Sequence, residues 1–187
     1  MGFKIMWYFI IFLILFLIFI YKNKKTIKKT KTKKIAPFGY RLFYTDQNTK
    51  NKKQNIIYKK LLFSEKYNIQ GKPDFIYKKF NTCYVVELKS GAIKEDKTPH
   101  LGDLMQLVAY FLIIEDVYGF KIKKGKLIYS DYCFIIKNTK SLRQYFLKIL
   151  NDMRVMLKTG NGTPTCSFTH CKHCMCRQTV CQFYDNI

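Results

Sequence analysis

The feature that most constrains this chain is an uncharged, strongly apolar run at its amino terminus, from Ile5 to Tyr21. A helix that spans a bilayer needs roughly 17 to 25 mostly apolar residues, and the run meets the lower limit. A secretory signal peptide would be followed by small residues at a cleavage site, whereas eight lysines follow here, between Lys22 and Lys34. We therefore predict a transmembrane anchor over residues 1–21 and a basic juxtamembrane linker over residues 22–35.

The same lysines predict the orientation of the anchor. Basic residues concentrate on the cytoplasmic side of a membrane span, and only Lys4 lies on the other side of this run. We expect a single-pass membrane protein whose remaining chain faces the cytoplasm. Because that compartment is reducing, the seven cysteines are not expected to form disulfides.

The formal net charge of +22 remains strongly positive when the first 34 residues, which hold nine lysines and no acid, are set aside. Such a charge favours polyanionic partners, either nucleic acid or anionic lipid. The abundance of Lys, Ile, Asn, Phe and Tyr also resembles the bias of an AT-rich genome. Charge alone therefore leaves nucleic-acid binding open.

Residues 36–160 have the pattern of one α/β domain. Thr98 as N-cap, Pro99 at the first helical position and Gly119 after the end predict a buried helix. A second, amphipathic helix is predicted from Ser141, as its cap, to Lys158. Short apolar and β-branched runs predict strands at 38–44, 56–63, 74–80, 83–88, 126–130 and 132–137.

Two carboxylates fall on the predicted hairpin of residues 74–88. Asp74 opens its first strand, Glu87 lies near the end of the second, and Lys89 leaves the strand on the same face as Glu87. Paired carboxylates suit Mg²⁺ or Mn²⁺, and a lysine beside such a metal suits phosphodiester hydrolysis. A simpler interpretation is that Asp74 ends a turn and that Glu87 and Lys89 pair on an exposed strand.

The predicted buried helix carries a polar stripe. At about 100° per residue, His100, Asp103, Gln106 and Tyr110 share an arc of roughly 120°. Burying polar groups costs free energy unless they are paired. The stripe therefore favours a functional site over an isolated ion pair.

In their order along the chain, these motifs resemble the RecB-like branch of the PD-(D/E)xK nucleases. The resemblance is to the CRISPR-associated four-cysteine exonucleases and their membrane-anchored relatives in particular. It implies a restriction-endonuclease-like α/β core, with a mixed central sheet flanked by helices. The motifs are Gly71-Lys72-Pro73-Asp74, Val86-Glu87-Leu88-Lys89-Ser90-Gly91, His100, Gln106-Leu107-Val108-Ala109-Tyr110, Gly125-Lys126-Leu127-Ile128-Tyr129 and the terminal cysteines.

The resemblance also implies roles for these residues. Asp74 and Glu87 would bind Mg²⁺ or Mn²⁺, and Lys89 would be the catalytic lysine. Gln106 and Tyr110 match the QxxxY motif, which lies along DNA and supports the active site. Members of the wider family often bind metal with a histidine before the aspartate, and none precedes Asp74 here. Either His100 substitutes for it, or the site works with fewer ligands.

The tail, residues 161–187, holds five of the seven cysteines. Such crowding around a Cys-x2-Cys pair is typical of a metal site, and four thiolates suit a [4Fe-4S] cluster or zinc. His170 and His173 leave mixed ligation open. Cys83 and Cys133 lie in predicted strands and are expected to be small core residues.

The family resemblance favours iron and sulfur over zinc in this tail. It implies that Cys171, Cys174 and Cys181 are ligands, with a fourth cysteine that normally lies near the start of the domain. No cysteine precedes Cys83 here, so Cys166 is the nearest replacement and Cys176 an alternative ligand.

Together these features predict a membrane-anchored, divalent-metal-dependent DNA nuclease with an iron-sulfur cluster. Its expected substrate is DNA that is single-stranded or has free ends, degraded as an exonuclease. CRISPR adaptation, repair and antiviral degradation of incoming DNA are all compatible with the sequence. The alternative is a nucleic-acid-binding or adaptor protein that keeps the nuclease fold without turnover.

Overall fold

A computed structural model describes residues 7–8, 10–14, 27–30, 35–48, 53–93 and 98–160. The described part of the predicted anchor, residues 7–8 and 10–14, is helical. Within these described ranges, no helix is both long enough and apolar enough to cross a membrane. The rest of the predicted anchor lies outside the described residues, as do the predicted cluster ligands Cys166, Cys171, Cys174, Cys176 and Cys181.

The described chain forms strands and two long helices, with a hairpin of strands leading into the first helix. Their order is β1 (Ile27–Thr30), β2 (Arg41–Thr45), β3 (Ile57–Tyr58), β4 (Leu62–Ser64), β5 (Ile69–Gly71), β6 (Phe75–Lys79), β7 (Thr82–Leu88), α1 (Leu101–Tyr118), β8 (Lys121–Ile128), β9 (Cys133–Lys137) and α2 (Lys140–Thr159).

Seven of these strands form one mixed sheet in the order β1-β9-β8-β7-β6-β2-β3, and β4 and β5 form a separate antiparallel pair. The strands β6 and β7 pair as the predicted hairpin, whereas β7 and β8 are parallel and are connected through α1. Parallel neighbours need such a crossover because the end of the first strand and the start of the second lie at opposite ends of the sheet. The predicted α/β fold with a mixed central sheet is confirmed.

The helix α1 packs on one face of this sheet because its interior side chains are almost all apolar. Leu107, Val108 and Phe111 are fully buried. At Gly125 of β8 a Cβ atom would lie 2.7 Å from Phe111 Cε1, so the helix approaches the sheet more closely than any side chain there would allow. The two faces of β8 are thereby fixed: Gly125 points to α1, and its neighbours point away from α1.

A second apolar cluster lies on the strands β6 to β9. It includes the buried residues Tyr77, Tyr84 and Cys133, against which Tyr40 and Leu42 pack. Cys83 and Cys133 are 2% and 0% exposed, which confirms that both are core residues.

The chain divides into two compact units, Met1–Phe146 and Leu147–Ile187. The first contains both sheets, α1 and the start of α2. The division falls within α2, whereas we predict the nuclease core to extend to residue 160.

One strand lies where the sequence predicts a solvated linker. Residues 27–30 form β1, which pairs antiparallel with β9 from Ile27 opposite Ile136 to Thr30 opposite Cys133. An edge strand is held by backbone hydrogen bonds, so it needs no apolar pattern and tolerates lysines. The predicted basic linker thus includes four residues that belong to the large sheet.

The single strand predicted at 56–63 is wrong because the chain turns within it. Lys59 has a φ of 51°, in the left-handed region, and separates β3 from β4. As a result β3 joins the large sheet while β4 pairs with β5.

Three other boundaries differ from the sequence prediction. β8 begins at Lys121 rather than Lys126, because parallel pairing with β7 continues along its lysine-rich half. The cap of α1 is His100, with an extended ψ of 138°, rather than Thr98. The cap of α2 is Thr139, whose Oγ1 accepts a 3.3 Å hydrogen bond from the N–H of Leu142, rather than Ser141.

Candidate active site

The two predicted metal-binding carboxylates lie side by side at one end of the β6–β7 hairpin. Asp74 immediately precedes β6, and Phe75 pairs with Val86, the neighbour of Glu87 in β7. The N–H of Asp74 donates to Glu87 Oε2 at 3.3 Å, and the N–H of Leu88 donates to Asp74 Oδ2 at 2.6 Å. The backbone of each strand thus positions the carboxylate of the other.

Both carboxylates are held in a setting that opposes their ionisation. Glu87 is only 5% exposed, and burial, followed by the nearby charge of Asp74, raises its pKa to about 7. Burial is also the largest cause that raises the pKa of Asp74, to which the charge of Asp46 contributes. Lys89 acts in the opposite direction on both groups but does not cancel the effect.

Lys89 lies directly beside this pair, as its place two residues after Glu87 predicts. Its Nζ is 3.4 Å from Glu87 Oε1 and 3.1 Å from Asp103 Oδ1. It also donates a hydrogen bond to Gln106 Oε1. The backbone N–H of Lys89 donates to Ile128 O at 2.7 Å, which ties the residue to the end of β8.

Gln106 and Tyr110 connect α1 to the two carboxylates. Gln106 Nε2 donates to Glu87 Oε1 at 3.0 Å and contacts Tyr110 Oη at 2.8 Å, and the Tyr110 hydroxyl donates to Lys72 O at 3.1 Å. Burial and the charge of Glu87 raise the pKa of Tyr110 to about 12, so its hydroxyl stays protonated. The helix is therefore attached through side chains to β7 and to the segment between β5 and β6.

Gly71 makes room for this tyrosine. A Cβ atom at this position would lie 2.7 Å from Tyr110 Cε1, inside van der Waals contact. The glycine that opens the Gly71-Lys72-Pro73-Asp74 motif is thus needed for close packing of β5 on α1.

The sequence does not assign Asp103 and Tyr129 to the site, although both lie in it. The Tyr129 hydroxyl donates to Asp103 Oδ2 at 2.6 Å, while Asp103 Oδ1 pairs with Lys89. The available signal was the position of Asp103, one helical turn before Gln106 on the polar stripe of α1. Tyr129 ends the Gly125-Lys126-Leu127-Ile128-Tyr129 motif, but that motif assigns it no role, because only the fold brings β8 next to α1.

His100 lies at the start of α1, next to Tyr129 rather than among the hydrogen bonds of the carboxylates. Its ring meets the Tyr129 ring edge-on, with centroids 5.8 Å apart. Over the ranges that the structure describes, no three or more His, Cys, Asp or Glu side chains form a group able to hold a metal ion. A metal-binding role of His100 stays a prediction.

The chemistry of the donors fits a hard divalent cation. Asp74 and Glu87 offer carboxylate oxygens, the ligands that Mg²⁺ and Mn²⁺ prefer. Burial is the largest cause that raises both pKa values, and offsetting it takes more positive charge than Lys89 supplies. A divalent cation between them would supply that charge and favour both ionised forms.

Comparison with solved structures finds the crystal structure of SSO0001, at 19% sequence identity and a TM-score of 0.41. The match covers 92% of this chain and 68% of that one. No curated protein matches the sequence.

The sequence also matches a protein-family model. The model of the PD-(D/E)XK nuclease superfamily matches residues 21–182, which include every described strand and both long helices. The protein therefore belongs to the PD-(D/E)XK nuclease superfamily.

Proposed function

We propose that this protein is a nuclease that hydrolyses DNA phosphodiester bonds. Asp74, Glu87 and Lys89 form its active site, and its cofactor is Mg²⁺ or Mn²⁺. The observation that carries the proposal is the position of Lys89, whose ammonium lies between Glu87 and Asp103, next to a site that pairs the buried Glu87 with the half-buried Asp74. An isolated surface ion pair would need neither the second carboxylate nor the hydrogen bonds from α1.

In this proposal Asp74 and Glu87 would hold the metal ion, whose chemistry would be that of a Lewis acid that activates water. Lys89 provides a fixed positive charge where negative charge develops on the phosphoryl oxygens. Asp103 and Gln106 are positioning residues, because their contacts with Lys89 restrict where the ammonium can lie. Tyr110 and Gln106 together hold the carboxylate of Glu87 against α1.

The direct test follows cleavage of end-labelled single-stranded DNA by the full chain, purified without oxygen, in Mn²⁺, Mg²⁺ or chelator. We expect cutting with either metal, none in chelator, and a loss of at least 100-fold in Glu87→Gln and Lys89→Ala, because both remove groups at the reacting phosphate. Glu65→Gln and Lys66→Ala, in an exposed turn, are the matched controls and should cut like the parent.

The outcome that contradicts the proposal is a folded protein that binds DNA and does not cut it in either metal. Equal activity of Glu87→Gln and the parent would also contradict it, since the cleavage would then come from another site or a contaminant.

We further propose that the activity is exonucleolytic and directed at single strands. The support is in the sequence: no base-reading motif is visible, and lysines with Tyr and Phe residues suit phosphates and stacked bases. A closed circular single strand resists an exonuclease, whereas its linear form does not. Cutting of the circle at the same rate as the linear strand would contradict this proposal.

For the tail, we propose a [4Fe-4S] cluster on Cys166, Cys171, Cys174 and Cys181, with zinc as the alternative metal and Cys176 as an alternative ligand. Family resemblance is the support for iron and sulfur. Iron, sulfide and zinc content, measured on anaerobically purified protein, separates the two metals. Cys171→Ser should remove the metal. Cys83→Ala, at a buried cysteine outside the tail, is the control and should not remove it.

The proposed location is the membrane, with the catalytic unit in the cytoplasm and a role in CRISPR-associated or antiviral DNA degradation. The support is the apolar run of residues 5–21 and the lysines that follow it. Extraction from membranes by detergent but not by salt or carbonate would support the anchor. Release by salt alone would contradict it.

One observation favours the alternative, a nucleic-acid-binding or adaptor protein without turnover. In the described ranges, Asp74 and Glu87 do not form a metal-holding group with a third His, Cys, Asp or Glu. Binding of Mn²⁺ by calorimetry decides between the two: a nuclease should bind it through Glu87, and an adaptor should not.

A further inference from the structure

A pocket with several lysines lies on the sheet face that points away from α1. Gly125 points to Phe111 of α1, so its neighbours Lys124 and Lys126 point to the opposite face. The pocket encloses about 490 Å³. Its principal lining residues are Lys28, Lys124, Lys126, Phe38, Tyr40 and Tyr84.

The lysines of this pocket come from β1 and β8, which lie on either side of β9, and they are close in register. Ile135 of β9 pairs with Lys28 on one side and with Lys126 on the other. Among the described residues, no acid lines the pocket. Like charges placed so closely repel one another, and the arrangement creates a positive potential that attracts polyanions.

A second basic pocket of about 400 Å³ adjoins the first. The two are joined by consecutive residues, since Phe38 lines the first pocket and Gly39 the second. A Cβ atom at Gly39 would lie 3.2 Å from Lys79 Nζ, which shows how closely this segment crosses β6. The second pocket is lined by Gly39, Arg41, Lys78, Lys79 and Phe80, and again no acid from the described part of the chain lies among them.

Each pocket also carries one strongly exposed phenylalanine. Phe38 is 93% exposed and Phe80 is 87% exposed, more than any other large apolar side chain in the described part of the chain. Phe80 adopts a φ of 51°, a left-handed conformation that Asn or Gly would adopt at lower cost. Folding therefore gains nothing from phenylalanine at either position.

We propose that these two pockets form one track that binds single-stranded nucleic acid, with the basic residues on phosphates and Phe38 and Phe80 stacked on bases. Exposed aromatic rings beside basic side chains match the two components of such a strand. A lipid surface is the less suitable partner, because it is flat and has no rings to stack on phenylalanine. The inference rests on the proposed function in that the bound strand would be the nuclease substrate.

The test measures the affinity of the full chain for fluorescent 12-nucleotide single-stranded DNA in chelator, so that nothing is cut. Two double variants separate the two kinds of contact. Lys28→Gln with Lys124→Gln removes positive charge, and Phe38→Ala with Phe80→Ala removes the aromatic rings. All four side chains are exposed, so the variants should fold. A matching oligonucleotide without bases keeps the phosphates and removes the stacking partners.

The lysine pair should weaken binding of both oligonucleotides and reduce the slope of log affinity against log salt by about 1.4, since each released phosphate contact contributes about 0.7. The phenylalanine pair should weaken binding of the normal strand at least about fivefold, as expected for lost stacking. It should leave the salt slope and the affinity for the base-free strand unchanged. Phe38→Tyr with Phe80→Tyr should restore the affinity.

Matched controls lie outside both pockets: Lys53→Gln with Lys66→Gln for charge, and Phe63→Ala for an exposed ring. The proposal is overturned if the track variants bind like these controls, or if they lose only binding to anionic lipid vesicles. A parent that binds DNA but does not cut it in Mn²⁺ would overturn the proposed function and leave the track standing. A parent that cuts DNA while the track variants bind like the controls would support the proposed function and overturn the track.

Discussion

Glu87 shows how a single buried carboxylate links stability to the chemistry of the site. Its pKa is raised from 4.5 to about 7, first by burial and then by the charge of Asp74. Between those two values the unfolded chain ionises at this position while the folded chain keeps the proton. The folded state therefore binds more protons, and its stability falls as the pH rises.

We accordingly predict that the metal-free protein is less stable at pH 8 than at pH 5, by on the order of 2–3 kcal/mol from Glu87. The measurement is the thermal unfolding midpoint in chelator at a series of pH values, for the parent and for Glu87→Gln. The variant cannot titrate at this position, so the difference in stability between the two proteins should change with pH between about 4.5 and 7. A difference that stays constant across this range would show that Glu87 ionises normally.

At the scale of elements, the site depends on how closely α1 approaches the sheet. A Cβ atom at Gly125 would lie 2.7 Å from Phe111 Cε1, 2.9 Å from its Cζ and 3.0 Å from Val85 O. Phe111 is fully buried, so its ring cannot move away without displacing the helix. The same helix carries Gln106, which contacts Glu87.

Gly125→Ala should therefore lower both stability and activity. We expect a loss of about 1–3 kcal/mol, as for other overpacked cores, and a lower unfolding midpoint. Cleavage should fall as well, because a displaced α1 moves Gln106 relative to Glu87. Gly102→Ala is the control: it lies exposed in α1 with nothing within 4 Å of the added methyl group, and should leave the midpoint equal or higher. Equal midpoints for Gly125→Ala and the parent would mean that the sheet and helix separate at no cost.

The elements also show which parts of the fold the sequence could predict. The β6–β7 hairpin and α1 were predictable because their apolar patterns and end signals are local, and their spacing brings Asp74, Glu87, Lys89 and Gln106 together. The strand β1 was not predictable, because an edge strand of lysines is held by backbone pairing with a distant segment. For the same reason the contact between Tyr129 and Asp103 was not predictable, since it depends on how β8 and α1 pack.

At the scale of the whole molecule, basic character is distributed unevenly over the described surfaces. Two acids and a lysine occupy the proposed catalytic end of the hairpin. The first lysine pocket lies on the sheet face turned away from α1, the second lies at the other end of the hairpin beside Phe80, and no acid among the described residues lines either. A short DNA strand can occupy the catalytic end, and only a longer DNA strand can reach both the catalytic end and the pockets. Part of the formal charge of +22 is thus concentrated in these two pockets, which the composition alone does not show.

This arrangement predicts that the salt dependence of binding grows with strand length. In chelator, a strand of about 30 nucleotides that contacts some five phosphates should show a slope of log affinity against log salt of about −3.5. A hexamer that contacts about two phosphates should show a slope of about −1.4. Titrations of both oligonucleotides from low to moderate salt measure the two slopes directly. Equal slopes would mean that all phosphate contacts lie within one short stretch of strand, and that the basic face of the sheet takes no part in binding.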